Sequence, residues 1–483
     1  MIRKSIPILF FVLLVFQGKA QINMAFYPFE NQFNSSDFNP AFLKSNHKFT
    51  FSIFPVGGTN IGYNNQQIIK ELVSKVISGI TTDRDYRDIL ESMANRSTVN
   101  QNIESSLLSL TYKSKYGFLN FRIKEIENFS VALKGELTDF IVLPGFQSAI
   151  VNKVQNLPAQ AMHYREYSFG YSLPGANKKF SAGIRAKLYF GKASFFSGIS
   201  GKIQNDSGDY FLKTEGKVMM SLPEVKMLNE DGSTSTDSFT GRKVLNYLVN
   251  SGNNGLGVDL GINYRILPNL SVSLSVIDLG KIKWKSKLNS KSFNVNYAFN
   301  KDSILTELSA TGVETISKKY PDPFIEPVSN EFKPIVDRST PFSGKIPLTF
   351  YSGLKYIISP SLMISLVDKY VMIKELSYNS ASIMAGYKLS SKVSVSMGYS
   401  IIGKNFANIP MAVLINKDFG QIYFGTDNLA AYVIPSASDF AGFTFGTCFY
   451  LFRERDKLLN PLDDFPFYQP RRNNKNRKSG LLH

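Results

Sequence analysis

Histidine, the side chain most often used for acid–base chemistry and metal binding near neutral pH, occurs three times, as His47, His163 and His483. None of them stands at metal-ligand spacing from another, so the sequence predicts no zinc or iron site. The stretch Gly198-Ile199-Ser200-Gly201 lacks the glycine spacing of a hydrolase nucleophile elbow, and no phosphate-binding loop occurs. We therefore expect no catalytic residue, metal ligand or cofactor, and a protein that is not an enzyme.

Two polar features allow a chemical and a structural interpretation. His163 could pair with a distant serine in a membrane-embedded lipase, but a histidine at the edge of a strand more often lies at an interface. Asp427-Asn428 could bind calcium at the mouth of a loop, yet a turn-forming role for these short side chains is favoured.

The charge of the chain bears on its partners. Its formal net charge is +17, and such a basic protein attracts anionic surfaces. For an exported chain we expect outer-membrane lipid with anionic headgroups, and no nucleic acid. Scattered solvated lysines are the alternative explanation. The only cysteine is Cys448, so a disulfide within one chain is excluded.

The first twenty residues have the pattern of a secretory signal peptide. Arg3 and Lys4 precede an apolar run from Ile6 to Phe16, and small residues stand before a predicted cleavage ahead of Gln21. Because residue 21 is not a cysteine, lipoprotein processing is not expected. No later run reaches the length of about eighteen apolar residues that a transmembrane helix needs.

Strand periodicity dominates the second half of the chain. Between Val258 and Ile266, apolar residues alternate with polar or small ones, and a second alternating run from Leu270 to Val276 follows the turn Leu267-Pro268-Asn269. The polar phase is mainly Ser, Gly and Asn, which suits a wet lumen better than a second packed sheet.

The same hairpin design recurs along the chain. It is found at four other places: Tyr167 to Phe190, Tyr356 to Met363, Tyr387 to Tyr399 and Leu414 to Phe424. Counting such segments predicts about fourteen antiparallel strands, give or take two, since strand ends are hard to place. The predicted fold is all-β: a transmembrane outer-membrane β-barrel with short helical insertions.

Other segments do not have strand periodicity. Helical spacing of apolar residues occurs in Gln66 to Ser78, continuing over Asp85 to Met93, and in Gln147 to Gln155. Long irregular loops are expected at Asn229 to Gly255 and in the proline-rich stretch Tyr320 to Pro347.

Charged residues on the polar phase are expected to face the lumen, because a basic side chain at the middle of the lipid face costs roughly 2–4 kcal/mol. There they could line a passage or pair with a plug. The lumen-lining candidates are Arg185, Lys187, Asp259, Arg265 and Lys388.

The segment Phe38-Asn39-Pro40-Ala41-Phe42 precedes the first alternating strand and resembles the Asn-Pro-Ala element of the FadL and PorV superfamily of outer-membrane barrels. The resemblance implies fourteen strands and an N-terminal segment inside the lumen, with Asn39, Pro40 and Ala41 as hatch candidates. A plain turn before a strand is the alternative. About nineteen residues separate the predicted cleavage from Pro40, fewer than a FadL-type hatch usually has.

A longer region resembles an uncharacterised family of Bacteroidota outer-membrane barrels. The resemblance rests on Lys345-Ile346-Pro347-Leu348, on Gly425-Thr426-Asp427-Asn428 before a final strand ending at Phe452, on the run Tyr164 to Tyr171, and on Gly183 to Lys187.

These inferences predict a domain order: signal peptide at 1–20, N-terminal lumenal segment at 21–46, barrel at 47–453 and basic disordered tail at 454–483. The superfamily resemblance implies two functions: a FadL-like conduit for hydrophobic small molecules, or a non-transporting scaffold or accessory subunit of an export or assembly complex of the outer membrane. A conduit requires an apolar pocket with an opening, whereas a scaffold requires a blocked lumen and an exposed apolar patch.

Overall fold

The structure of the chain is a computed structural model. The described residues are 23–30, 32–43, 45, 47–64, 98–132, 154–174, 179–206, 209–222, 246–300, 335–337, 340–373, 377–402, 405–434 and 440–451. The predicted signal peptide, the helices expected at 66–78 and 85–93, most of the one at 147–155 and the basic tail lie outside these residues.

Strands make up most of the described chain. Their bounds are β1 Phe49–Ile53, β2 Thr59–Asn64, β3 Thr98–Lys113, β4 Phe118–Ala132, β5 Val154–Pro174, β6 Phe180–Asp206, β7 Asp209–Ser221, β8 Asn253–Leu267, β9 Leu270–Trp284, β10 Leu288–Asn300, β11 Ile335–Asp337, β12 Phe342–Lys345, β13 Leu348–Ile357, β14 Leu362–Met372, β15 Tyr378–Lys388, β16 Val393–Ile402, β17 Asn405–Asn408, β18 Met411–Lys417, β19 Gly420–Thr426 and β20 Phe440–Leu451.

Antiparallel pairing closes these strands into a barrel. β1 and β2 are two parts of one wall strand, because both pair with β3 on one side and with β20 on the other. β12 with β13 and β17 with β18 likewise form single interrupted wall strands. The wall then runs through β3, β4, β5, β6, β8, β9, β12/β13, β14, β15, β16, β17/β18, β19 and β20 back to β1/β2. This closed ring of fourteen antiparallel strands confirms the predicted fold class.

β6 continues past its wall neighbour β8, with β5 paired alongside it. The first part of β6 pairs with β8, whereas its second part, from Ser194 onward, pairs with β7. β7 pairs in turn with β10, and β10 pairs with β11. The sequence pattern predicted a strand ending near Phe190, so this sheet extension was not anticipated.

Side chains alternate between the two faces of the wall as predicted. On β9, Leu274 is 50% exposed on the outside, while its neighbours Ser273 and Ser275 are buried on the inside. On β8, Leu260 and Ile262 are exposed on the outside. A continuous belt of exposed Leu, Ile, Phe and Tyr on a closed barrel is the signature of a membrane-spanning wall.

Tight turns gather at one end of the barrel. The β8–β9 turn lies at 268–269, within the predicted turn Leu267-Pro268-Asn269, and the β15–β16 turn at 389–392 lies within the predicted hairpin Tyr387 to Tyr399. The β18–β19 turn lies at 418–419, within the predicted hairpin Leu414 to Phe424. Part of the proline-rich stretch expected to be a loop forms the short strands β11 and β12.

Helical structure among the described residues is limited to single turns, one of them Ala430–Val433 between β19 and β20. None of the helices in the described part of the chain is long and apolar enough to cross a bilayer.

Replacing Leu260, near the middle of β8, with Arg tests the assignment of the outer face. An arginine side chain that faces hydrocarbon should lower the free energy of unfolding by about 2–4 kcal/mol. This free energy is measured by denaturation with guanidinium chloride in lipid vesicles. Val249, which is 61% exposed and lies outside the strands, provides the control. Val249→Arg should stay within about 0.5 kcal/mol of the unmodified protein. Equal effects of the two substitutions would contradict a lipid-facing β8.

Candidate functional site

The N-terminal residues 23–43, called the plug below, fill part of the lumen. They form three short 3₁₀ turns, Asn23–Phe26, Ser35–Asp37 and Pro40–Phe42. The first turn contacts β16, β18 and β19, and the third contacts β5, β6 and β8. The plug therefore bridges opposite sides of the wall.

The Asn-Pro-Ala element anchors the plug to two adjacent wall strands. The Asn39 side-chain oxygen accepts a hydrogen bond from the Ala41 backbone N–H at 2.9 Å and so caps the last turn. Its amide nitrogen donates to the backbone carbonyls of Ile262 on β8 at 2.9 Å and Leu274 on β9 at 3.2 Å. Pro40 suits the first position of this turn, because its missing N–H would have no partner there.

Lumen-facing glycines give the plug its space. A Cβ added to Gly261 would collide with Asn39, and one added to Gly183 would collide with the backbone of Pro40. A side chain at either glycine is therefore incompatible with the seated plug. Three further glycines stand against plug side chains in the same way: Gly353 against Tyr27, Gly386 against Pro28 and Phe29, and Gly425 against Phe26.

Aromatic packing joins the plug to the wall. Phe26 lies edge-on to Tyr423 of β19 with ring centroids 5.6 Å apart, and Phe38 lies edge-on to Tyr351 of β13 at 5.9 Å. The apolar plug side chains in this cluster are Met24, Ala25, Phe26, Tyr27, Phe29, Phe38 and Phe42. The lumen of the barrel therefore contains a packed apolar core like that of a soluble domain.

A group of charged side chains, called the ionic cluster below, lies on one side of the lumen. It contains Asp37 of the plug and the wall residues Glu104, Arg122, Lys124, Glu166, Arg185, Lys187, Asp259 and Asp278. These wall residues come from β3, β4, β5, β6, β8 and β9. The ionic cluster thus connects six wall strands with the plug.

Lys187 and Arg185 are the centre of the ionic cluster. The Lys187 ammonium lies 3.2 Å from Glu166, 3.0 Å from Asp259 and 2.6 Å from Asp278. Arg185 pairs with Asp259 at 3.1 Å and also donates to the backbone carbonyl of Ser36 in the plug at 3.0 Å. Each cation therefore has several anionic or carbonyl partners, as burial of charge requires.

Asp37 is the only carboxylate that the plug contributes to the ionic cluster. It pairs with Arg122, and its second oxygen lies 3.0 Å from Lys124. Burial by itself would raise the pKa of Asp37, but the nearby Arg122, Lys124 and Arg185 outweigh it and hold that pKa well below its usual range. Asp37 is therefore ionised whenever the plug is seated at neutral pH.

The sequence-predicted lumen-lining residues do not all come together. Arg185, Lys187 and Asp259 are buried in the ionic cluster. Arg265 and Lys388 face inward near the tight-turn end, half-buried, and lie outside it. Whether any of these residues lines a passage stays a prediction.

Other members of the ionic cluster were missed, including Arg122 and Lys124 on β4. The signal on β4 was ambiguous, because Glu125 and Glu127 place charges on the other face as well. Alternation alone therefore did not show which phase of β4 faced the lumen. Asp37 stands in a segment without strand periodicity and carried no detectable signal.

A cavity of about 70 Å³ lies between the plug and the wall. The ionic cluster forms one side, and apolar residues including Ile277, Ile346 and Tyr351 contribute to the other. Lys369 of β14 also lines this cavity, 3% exposed, with its ammonium 5.5 Å from the centre of the Tyr351 ring. The cavity has room for a few water molecules and is mainly polar.

The two polar features with alternative chemical interpretations, Asp427-Asn428 and His163, contact other parts of the chain. Asp427 accepts a hydrogen bond from the Met24 backbone N–H at 3.0 Å, and Asn428 accepts one from Ala430 at 3.2 Å. His163 faces outward on β5, 2.9 Å from Glu125, and contacts the Tyr247 hydroxyl. Among the described residues, no group of three or more His, Cys, Asp or Glu is arranged to hold a metal ion.

Substituting Asp37 with Asn tests the ionic attachment of the plug. Because Arg122 then loses its charged partner, the free energy of unfolding at pH 7 should fall by about 3 kcal/mol, measured by chemical denaturation. Glu30→Gln at the Lys355 pair, which lies outside the ionic cluster, is the control and should cost less. An unchanged Asp37→Asn stability would show that the plug is held by packing alone.

The same carboxylate predicts an acid dependence. Since the folded-state pKa is depressed, the stabilisation is complete above the ordinary aspartate pKa of about 3.9 and decreases as the pH falls below it. Denaturation midpoints measured between neutral and acid pH should therefore fall less steeply for Asp37→Asn than for the unmodified protein. Parallel curves would exclude Asp37 as a source of the acid dependence.

Comparisons with solved structures return barrels at low similarity. The toluene transporter TbuX of Ralstonia pickettii is 10% identical with a TM-score of 0.35, covering 85% of this chain and 90% of that one. A FadL homologue of Pseudomonas aeruginosa is 9% identical with a TM-score of 0.34, covering 89% of this chain and 94% of that one. Similarity at this level gives no information on a substrate.

Comparisons at the sequence level give a family. No curated protein matches the chain. A family model matches residues 40–427, from the Asn-Pro-Ala element to the Asp427 that accepts a hydrogen bond from the plug. The chain belongs to the family of unknown function DUF5723.

Proposed function

We propose that the protein is an outer-membrane conduit for small hydrophobic molecules, in which the plug controls passage. The observation that carries this proposal is the arrangement inside the lumen. A cavity persists between plug and wall, while plug residues occupy the neighbouring part of the lumen. A wall of fourteen strands encloses more space than its own side chains fill, so the position of the plug decides whether the lumen is open.

The lining of the cavity supports an amphiphilic rather than a purely hydrocarbon solute. Ile277, Ile346 and Val371 offer apolar contact, whereas the ionic cluster and Lys369 offer charge. Binding sites for small molecules typically combine apolar walls with a few polar groups that fix orientation. Here the lining is mainly polar and charged, with apolar residues on one side, so a hydrophobic molecule that also has a polar or charged group matches it better than a hydrocarbon does.

Passage requires only part of the plug to move. Burying a large apolar side chain stabilises a protein by roughly 1.5–3 kcal/mol, so removing every plug aromatic from the lumen is strongly unfavourable. Of the described plug residues, Asp37 and Phe38 line the cavity. A shift of Asp37 and Phe38, with the other plug aromatics still seated, therefore widens the cavity at less cost than removal of the whole plug.

A second candidate function is a non-transporting accessory subunit of an export or assembly complex. The glycines that receive the plug favour it, because they build the wall around a seated plug rather than around an open lumen. In that case the plug stabilises the barrel, and the long loops bind the partner.

Location and lipid partners follow from the same proposal. The apolar belt requires a bilayer, and barrels of this type reside in outer membranes. Export by the N-terminal signal peptide and attraction to anionic headgroups are supported by the sequence pattern and the formal net charge of +17.

Uptake measurements with a wedge variant test the conduit. Gly261→Leu places a side chain where Asn39 sits and should displace the plug locally. In a deletion strain, the unmodified gene should restore uptake of at least one compound in a panel of hydrophobic molecules, and Gly261→Leu should increase the rate further. Gly198→Leu is the matched control, because nothing lies within 4 Å of an added Cβ there.

Two outcomes would oppose the conduit. The first is unchanged uptake across the whole panel with a folded, plug-displaced Gly261→Leu protein, folding being shown by heat-modifiable gel mobility. The second is recovery of a stoichiometric protein partner from native membranes together with unchanged uptake, which would favour the accessory subunit.

A further inference from the structure

The membrane-facing surface of β13, β14 and β15 contains a depression with an acidic residue in it. Asp368 lies on β14 opposite Ser352 of β13 and Ala381 of β15. Its strand neighbours Leu366 and Tyr370 are exposed on the outer face, whereas Val367 and Lys369 are buried on the lumen side. The alternation of the strand therefore directs Asp368 outward.

Small neighbours make the surface concave at this point. Ser352 and Ala381 leave space beside Asp368, and larger side chains such as Leu354 and Ile383 surround it. The resulting open pocket has a volume of about 510 Å³, and its exposed surface is largely apolar. The remaining lining residues are Val272, Gly353, Leu366, Val367, Ser382, Tyr399 and Ile401.

The depth of Asp368 restricts what can reach it. Asp368 is six residues beyond Leu362 at the tight-turn end of β14. A strand tilted by 45° rises roughly 2.3 Å per residue along the membrane normal, which puts Asp368 close to the middle of the apolar belt. Lipid headgroups lie at the two surfaces and do not come to this depth.

Asp368 also lacks a partner inside the protein. Within the described residues, its carboxylate makes no hydrogen bond or ion pair. A carboxylate that faces hydrocarbon is costly unless a cation or a hydrogen-bond donor meets it. The pocket thus combines an apolar body with one unsatisfied acceptor.

We propose that this pocket binds a membrane-dissolved hydrophobic amine, whose ammonium pairs with Asp368 while its apolar part covers the surrounding Leu, Ile and Tyr side chains. Pockets of several hundred Å³ with apolar walls and one orienting polar group are typical of small-molecule sites. The amine is chosen by charge complementarity with Asp368. The site is on the opposite face of the wall from the lumenal cavity and goes beyond the proposed conduit.

Photolabelling tests the site. The protein is reconstituted in phosphatidylcholine nanodiscs and exposed to dodecylamine carrying a diazirine in its chain, and the labelled peptides are identified by mass spectrometry. Saturable labelling of β13, β14 and β15 is expected. Asp368→Leu should reduce it about tenfold, the effect of losing one charge-assisted hydrogen bond.

Three controls keep the test specific. Ala381→Trp fills the pocket and should abolish labelling without changing Asp368. Ala186→Trp, at an exposed outward position on β6, should have no effect. A diazirine probe of the same length that ends in a methyl group should label the wall evenly.

The proposal is overturned by either of two results. One is equal labelling of the unmodified, Asp368→Leu and Ala381→Trp proteins by the amine probe, each variant being shown to fold by heat-modifiable mobility. The other is photo-crosslinking in native membranes from position 383 to another protein. That result would assign the depression to a protein partner instead. Both readouts are independent of uptake.

Discussion

Successive residues of each wall strand must suit two different surroundings, and the rest of the structure depends on this requirement. Leu274 faces outward to hydrocarbon, while Ser273 and Ser275 face an enclosed, polar lumen. Because hydrocarbon offers no hydrogen bonds, the backbone of every wall strand has to pair with neighbours on both sides, and only a closed ring provides that. Closure with fourteen strands then creates an interior wider than the wall's own side chains fill.

The plug fills part of the interior space that closure of the wall creates. It brings a compact apolar cluster around Phe26, Tyr27 and Phe38 into a lumen whose walls would otherwise be polar. Backbone carbonyls of the wall accept hydrogen bonds from Asn39, and glycines of the wall leave space for the plug. Wall and plug are therefore complementary in shape and in hydrogen bonding.

The period-two pattern was sufficient to predict the barrel, the approximate number of strands and the inward direction of Arg185, Lys187 and Asp259. It could not predict the partners of these charges, because pairing across six strands depends on register, which the alternation leaves open. Charges on both faces of β4 hid Arg122 and Lys124, and Asp37 carried no periodic signal. The length of β6 was also missed, since backbone pairing continues from β8 to β7 while the alternation of apolar and polar side chains changes.

The ionic cluster shows why the plug is held at one side of the lumen. Arg122 and Lys124 on β4 and Arg185 and Lys187 on β6 lie on the two sides of β5, and these four cations would repel one another without carboxylates between them. The wall acids Glu166, Asp259 and Asp278 are grouped around Lys187, which leaves Arg122 dependent on Asp37 of the plug.

Moving the plug away from β4 thus leaves the buried Arg122 guanidinium without its carboxylate, whereas moving it along the apolar part of the wall exposes apolar side chains. These two free-energy costs differ in kind. The first cost, separating Arg122 from Asp37, depends on pH and on competing anions. The second cost, exposing apolar side chains, does not. Under the proposed conduit function, a solute with an anionic or strongly polar group would replace Asp37 at Arg122 and lower the first cost, so the same side chains would both attach the plug and select the solute.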